Sequence, residues 1–262
     1  MPALIAWAFP QASSRDFRLM TDILSWFTIL DDLFDGPAGR SKDAACLVIA
    51  PLIECMKTGG GSRVICHPEF KKITDAWANL WQRQVTGTVS SWRVSAAKDW
   101  RLCLETFIKE AENRQNKHDV SLEESILLRR YASCTYPYLN FLERTLAYQV
   151  PATVSSSAEM ARLHAHVADT ITYINDIYSV FREQEMGDDN NVLIILQRER
   201  GESQEEALRT VIDHLGGLAR EMRILEDDLR NQGVEGVYFT GLKQMIQGVQ
   251  TWTAQTSRYS AL

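Results

Sequence analysis

The stretch Ile23-Leu24-Ser25-Trp26-Phe27-Thr28-Ile29-Leu30-Asp31-Asp32-Leu33-Phe34-Asp35, closed by Gly36-Pro37, decides how the rest of the chain is read. It has the pattern of a hydrophobic helix that starts at an N-cap near Ser13-Ser14 and stops at about Phe34, where Gly36-Pro37 cannot continue it. Asp31, Asp32 and Asp35 therefore fall in its last turn. Anions at a helix C-terminus oppose the macrodipole at a cost of about 0.3–1 kcal/mol each, and carboxylates this close repel one another. Asp31 and Asp35, four apart, share one face. Such a cluster calls for a compensating cation. Its hard oxygens suit Mg²⁺ or Mn²⁺. Short acidic strings also arise by chance as solvated helix ends, but a solvated end does not usually follow so apolar an approach.

Outward from this stretch the chain reads as helix after helix. A second helix is expected from Ser41 to Lys57, broken by Gly59-Gly60-Gly61, a third from Pro68 to Thr86 and a fourth from Trp92 to Asn116. Ser121-Leu-Glu-Glu124 has the capping-box pattern. The helix it opens is expected to kink at Pro137. Ser156-Ser-Ala-Glu159 has the same pattern and should start a helix that runs to Glu185 and stops at Gly187. Ser203-Gln-Glu-Glu206 opens another that ends near Gly233, and the last runs from Gly236 to Ser257. Gly (14) and Pro (7) are sparse among the 262 residues, which favours long helices over a turn-rich β fold. Nothing reads as a linker, so residues 1–262 are expected to form a single all-α domain.

Composition narrows the function. Hydrophobic residues make up 45% of the chain, enough for a packed core, and the net charge of −6 gives no basic surplus for nucleic acid. Cys46, Cys55, Cys66, Cys103 and Cys134 are odd in number and lack CxxC spacing, so neither a zinc site nor a disulfide framework is expected. A cytoplasmic setting fits, with no signal peptide and no membrane span.

A second polar cluster lies far downstream, in Asn175-Asp176-Ile177-Tyr178-Ser179-Val180-Phe181-Arg182-Glu183. Asn175, Ser179 and Glu183 recur at the helical i, i+4, i+8 spacing and present an amide oxygen, a hydroxyl and a carboxylate on one face. That is a reasonable partial shell for Mg²⁺, with phosphate and water completing it. The bland reading is a polar face bonded to neighbouring helices.

Together the two clusters resemble class I terpene synthases, which pair a DDxxD motif with a downstream NDxxSxxxE motif. Both patterns match at every defining position. The resemblance runs from about Leu4 to Tyr259 and looks closest to the microbial single-domain type. Arg129 stands 46 residues before Asn175, where the family places its diphosphate sensor. The Arg258-Tyr259 pair matches its C-terminal diphosphate contact, and Arg182 is the basic residue preceding the motif's Glu. The resemblance implies a helical bundle around a central cavity. It implies that Asp31 and Asp35 ligate two of three Mg²⁺ ions (Mn²⁺ being the alternative), with Asp32 in support, and that Asn175, Ser179 and Glu183 hold the third. Arg129, Arg182, Arg258 and Tyr259 would bind diphosphate. Ser133, four residues after the sensor, matches the helix-break residue whose carbonyl faces substrate. Family members carry several tens of residues before the segment resembling Leu4-Ile5-Ala6-Trp7, so shortened N-terminal helices are expected.

The implied reaction ionises a linear isoprenoid diphosphate, farnesyl or geranylgeranyl, and cyclises the carbocation in a dry cavity whose aromatic faces stabilise it. Phe27, one turn before Asp31, and Trp252, six residues before Arg258, are placed to line it. Tyr136, Tyr138 and Phe141 flank the expected break. Trp77 and Trp81, at i,i+4, are assigned to core packing. Asp188-Asp189 and Glu226-Asp227-Asp228 lack the apolar approach and are read as solvated. No DxDD pattern is present, so ionisation rather than protonation should start the chemistry. Two alternatives remain: a prenyl chain-elongating synthase, which would usually carry two aspartate-rich motifs, and a non-catalytic isoprenoid-binding protein. A homodimer is compatible with either.

Overall fold

Serines start most of the long helices, and the reason is local. A serine just before the first turn accepts from a backbone N–H that has no intrahelical partner. In a computed structural model describing residues 1–59, 64–187 and 190–259, Ser13 accepts from Asp16 N, Ser41 from Ala44 N, Ser121 from Glu124 N and Ser203 from Glu206 N. Ser121 and Ser203 complete reciprocal capping boxes with Glu124 and Glu206.

The helices among the described residues are α1 (Pro2–Ala8), α2 (Ser14–Phe34), α3 (Lys42–Lys57), α4 (Lys71–Val85), α5 (Ser90–Asn116), α6 (Leu122–Ala132), α7 (Thr135–Thr145), α8 (Ala152–Ser155), α9 (Ala158–Met186), α10 (Val192–Arg200), α11 (Gln204–Asn231) and α12 (Gly236–Gln255). Short 3₁₀ turns occupy Pro37–Gly39, Pro68–Phe70 and Ser257–Tyr259. No strand occurs among the described residues, and no helix among them is long and apolar enough to cross a membrane.

Two compact units result. The first holds Ser13–Asp119, with Met1–Pro2, and so contains α2 to α5. In it α3 packs on α4 and α5, and α2 packs on α4. The fully buried Trp77 stacks on Trp26 at 4.5 Å and meets Trp100 edge-on at 4.8 Å. Each indole N–H has an acceptor: Ile73 O for Trp26, Leu52 O for Trp77 and Gln84 Oε1 for Trp100. Trp81 is buried as well, so the assignment of Trp77 and Trp81 to core holds.

The second unit holds Ala3–Ala12 and the chain from Val120 onward. Its spine is α9, against which α6, α7, α10, α11 and α12 all pack. Val180, Leu193, Leu196, Val211 and Leu218 form a core cluster along it. The N-terminal segment is seated on α12, where a Cβ at Gly248 would lie 2.4 Å from Ala8 N.

Three expectations need correction, and one helix was not anticipated. Pro137 does not kink a helix at its middle. The break lies upstream, where α6 ends at Ala132, Cys134 takes the left-handed conformation (φ 60°) and α7 begins at Thr135. Pro137 then sits in the first turn of α7, where a missing N–H costs nothing. The cap of α9 is Ser157, accepting from Met160 N, rather than Ser156. The interval between Gly187 and Ser203, to which no element is assigned from the sequence, contains α10, capped by Asn191. Glu226 is not solvated: its carboxylate pairs with Arg230 and Lys243, both at 2.7 Å, while Asp227 and Asp228 are exposed as expected. Asp188-Asp189 and Gly60-Gly61 lie outside the described residues.

Candidate active site

In the first unit, α2 carries Asp31, Asp32 and Asp35 to its exposed C-terminal end, with Asp35 as C-cap. No basic residue lies in that last turn. The compensation comes from α5 instead: Arg114 Nη1 donates to Phe34 O at 3.2 Å and to Gly39 O at 2.9 Å. A guanidinium on terminal carbonyls offsets the negative helix end that the acidic cluster aggravates. Phe34 is buried against Phe107, with ring centroids 4.6 Å apart. Phe27, on the face of Asp31, is partly exposed and contacts Trp100 and Phe107.

In the second unit a polar network gathers several expected residues. Arg129, near the end of α6, forms an ion pair with Asp176 on α9 and a long hydrogen bond (3.4 Å) to Asn175 Oδ1. Asn175 Nδ2 donates to Tyr259 Oη at 2.7 Å. Tyr259 in turn meets Trp252 edge-on, at 6.2 Å between ring centroids. One turn on, Ser179 Oγ donates to Asn175 O at 2.9 Å, and a further turn on Glu183 Oε2 accepts from Asn191 Nδ2 at 2.7 Å. Arg129, Asn175, Tyr259 and Trp252 are thus brought together, with Ser179 and Glu183 following on α9. Arg182 is partly buried on α9, and Arg258 is partly buried, its backbone N donating to Thr256 Oγ1. Ser133 lies at the helix break, its hydroxyl bonded to Arg130 O and Thr135 Oγ1.

Besides Arg114, three residues of the second unit were not singled out from the sequence. Asp176 is fully buried. Its Oδ2 accepts from Val192 N at 2.9 Å, burial pushes its carboxyl above the usual carboxylate range, and the Arg129 guanidinium pulls the other way. Arg130 holds Asp169 through two parallel bonds, Nε to Oδ1 at 2.7 Å and Nη2 to Oδ2 at 2.8 Å, which keeps its guanidinium charged. Asn191 caps α10. The sequence held one signal for it, an Asn directly before the apolar run Val192-Leu193-Ile194-Ile195-Leu196.

Residues 22–221 match the family model described as terpene synthase family 2, C-terminal metal binding. The chain belongs to the terpene synthases. Among its curated relatives, pristinol synthase of Streptomyces pristinaespiralis is 28% identical over 98% of this chain and 72% of its own length. Pentalenene synthase of Streptomyces exfoliatus is 26% identical over 97% and 77%. A (−)-β-caryophyllene synthase of Saccharothrix espanaensis, named as cyclising (2E,6E)-farnesyl diphosphate, is 28% identical over 97% and 74%. Among solved structures, a cucumene synthase variant superposes with a TM-score of 0.83 at 26% identity, covering 98% of this chain and 86% of that one. The germacradien-4-ol synthase of Streptomyces citricolor superposes at 0.82. The protein is therefore a class I terpene synthase with that family's helical fold. It is a lyase of the type that acts on diphosphates, and it depends on a divalent metal.

The residues present fit such a metal. Among the described residues no three His, Cys, Asp or Glu side chains converge to form a site by themselves. The donors are of the mixed kind: an amide oxygen, a hydroxyl and a carboxylate at successive turns of α9. Ser179 uses its proton toward Asn175 O, which leaves its oxygen lone pairs available, and Glu183 has one oxygen taken by Asn191. Hard oxygen donors of modest charge are what Mg²⁺ accepts alongside phosphate and water.

Proposed function

We propose that this terpene synthase ionises (2E,6E)-farnesyl diphosphate with three Mg²⁺ ions and cyclises the resulting carbocation to a sesquiterpene. Asp31 and Asp35 are the expected ligands of two ions, and Asn175, Ser179 and Glu183 of the third. Divalent ions so held supply positive charge that stabilises the departing diphosphate. The observation that carries this reading is the hydrogen-bonded series Arg129–Asn175–Tyr259, which joins a guanidinium, an expected metal ligand and a phenol hydroxyl.

In this reading Arg129, Arg182, Arg258 and Tyr259 donate to diphosphate oxygens. The C1–O bond breaks, its electron pair leaves with the diphosphate, and the allyl cation closes rings before losing a proton or capturing water. Arg suits its part because a planar fork meets phosphate oxygens bidentately. Phe27 and Trp252 present aromatic faces to the cation, and Ser133 supplies polarity at the helix break. The names of the relatives support a fifteen-carbon substrate.

Incubation with farnesyl and geranylgeranyl diphosphate plus Mg²⁺, read by gas chromatography, should give a cyclic hydrocarbon or alcohol from farnesyl diphosphate. Inertness of the folded protein toward every prenyl diphosphate would overturn the reading. Asp31→Ala and Asn175→Ala should each abolish turnover while leaving the helical circular dichroism spectrum unchanged. Retained turnover in either variant rejects that residue as a ligand.

A further inference from the structure

Asn191 is fully buried at the start of α10, and all the hydrogen-bonding capacity of its amide that the geometry displays is directed. Its Oδ1 accepts from Leu193 N at 2.9 Å, the ordinary work of an N-cap. Its Nδ2 donates twice, to Glu183 Oε2 at 2.7 Å and to Asp176 O at 2.9 Å. The orientation of the amide follows from its partners, because a carboxylate and a carbonyl can only accept and a backbone N–H can only donate.

Capping alone does not explain this residue. Ser, Asp and Asn cap about equally well, but Ser is too short to bridge to a carboxylate and Asp would set a second negative charge against Glu183. An amide is the side chain that caps a helix and donates to a carboxylate at the same time. The neighbouring contacts reinforce the join: Asp176 Oδ2 takes Val192 N while Asp176 also pairs with Arg129. The first residues of α10 are therefore tied both to the turn that carries Asn175 and to the turn that carries Glu183.

We propose that Asn191 is a positioning residue for metal binding: it fixes the rotamer of Glu183 by engaging Oε2, so that the other carboxylate oxygen is presented in one orientation. The inference rests on the role proposed above for Glu183. Polar partners of metal-binding carboxylates typically change metal affinity or activity by about 10–100-fold when removed. Asn191 is fully buried, and without its donor the Glu183 carboxylate is free to turn toward solvent.

The test uses the 262-residue chain with Mg²⁺ and inorganic diphosphate, so that binding is read without catalysis. Mg²⁺ is titrated at fixed diphosphate, by calorimetry and by the rise in unfolding temperature, for the wild type, Asn191→Ser, Asn191→Asp and Glu183→Gln. Asn191→Ser and Asn191→Asp keep a cap acceptor and lose the donor. Both are expected to require about ten times more Mg²⁺ for half-saturation, the Asp variant more than the Ser variant. Calorimetry is run well below each variant's unfolding temperature, so a loss of stability does not obscure the midpoint. An unchanged Mg²⁺ midpoint in Asn191→Ser, with binding lost in Glu183→Gln, overturns the role of Asn191 and leaves the proposed function standing. Wild-type binding in Glu183→Gln removes the metal role of Glu183 and this inference with it.

Discussion

A Cβ on Gly39 would fall 1.9 Å from the Phe34 carbonyl oxygen and 2.4 Å from Arg114 Nη1. Both neighbours are fixed, one as backbone and the other by its bonds to Phe34 O and Gly39 O. Gly39→Ala must displace the end of α2 or the guanidinium that closes it. Overpacking of this kind costs about 1–3 kcal/mol, so the variant should show a lower urea midpoint with an unchanged m-value. An unaltered midpoint would mean that the 3₁₀ turn at Pro37–Gly39 yields freely. On the ligand role proposed for Asp35, which caps the same helix end, the variant should also need more Mg²⁺ for activity. Residue by residue, the placing of Asn175, Ser179 and Glu183 at successive turns of one helix was legible because i, i+4 spacing is a local property. Arg114, Asp176 and Asn191 were not, because their value lies in partners that chain separation hides: Arg114 reaches back 80 residues to Phe34 and Arg129 reaches forward 47 to Asp176.

Helix boundaries make the same point at the next scale. Ser157, which accepts from Met160 N, and the neighbouring Ser156 differ by one position, and only the former is the cap. Ser157→Ala should cost about 1 kcal/mol and Ser156→Ala should fall within about 0.5 kcal/mol of wild type; equal effects in thermal melts would reject the assignment. Ser13, Ser41, Ser121, Ser203 and Gly187 were readable as punctuation because caps act within a single turn. Read from the residues alone, the break falls at Pro137, which is compatible both with a kink and with a first turn; only the resemblance points to Ser133, beside the left-handed Cys134. The competing conformation, a non-glycine residue at φ 60°, has no sequence signature of its own. Only nine residues long, α10 reads as an apolar run whose periodicity does not separate helix from strand. Its existence depends on the walls that bury it.

For the whole molecule, the all-α class followed from glycine and proline content, capping and periodicity, whereas the division into two compact units did not, since no composition shift marks Asp119–Val120. Acid stability is a property at this scale. His164 Nε2 lies 2.7 Å from Tyr238 Oη, and burial lowers its pKa to about 4 from the usual 6.5. The unfolded chain takes up that proton first, so the contribution of neutral His164 is complete above about pH 6.5 and is lost as pH falls through about 4. The free energy of unfolding should decline over that window. His164→Gln, which keeps a polar atom facing Tyr238 but cannot titrate, should flatten the decline; an unchanged acid limb would assign it to other groups. The close approach at Gly248 bears on synthesis. Ile5, Ala8 and Phe9 are buried, yet Ala8 rests on a helix that begins at Gly236. At about 5–20 residues per second, the ribosome leaves that apolar segment without its native seat for roughly ten to fifty seconds. Truncated or stalled chains that end before α12 are therefore natural clients for chaperones, recognisable by the uncovered Ile5, Ala8 and Phe9.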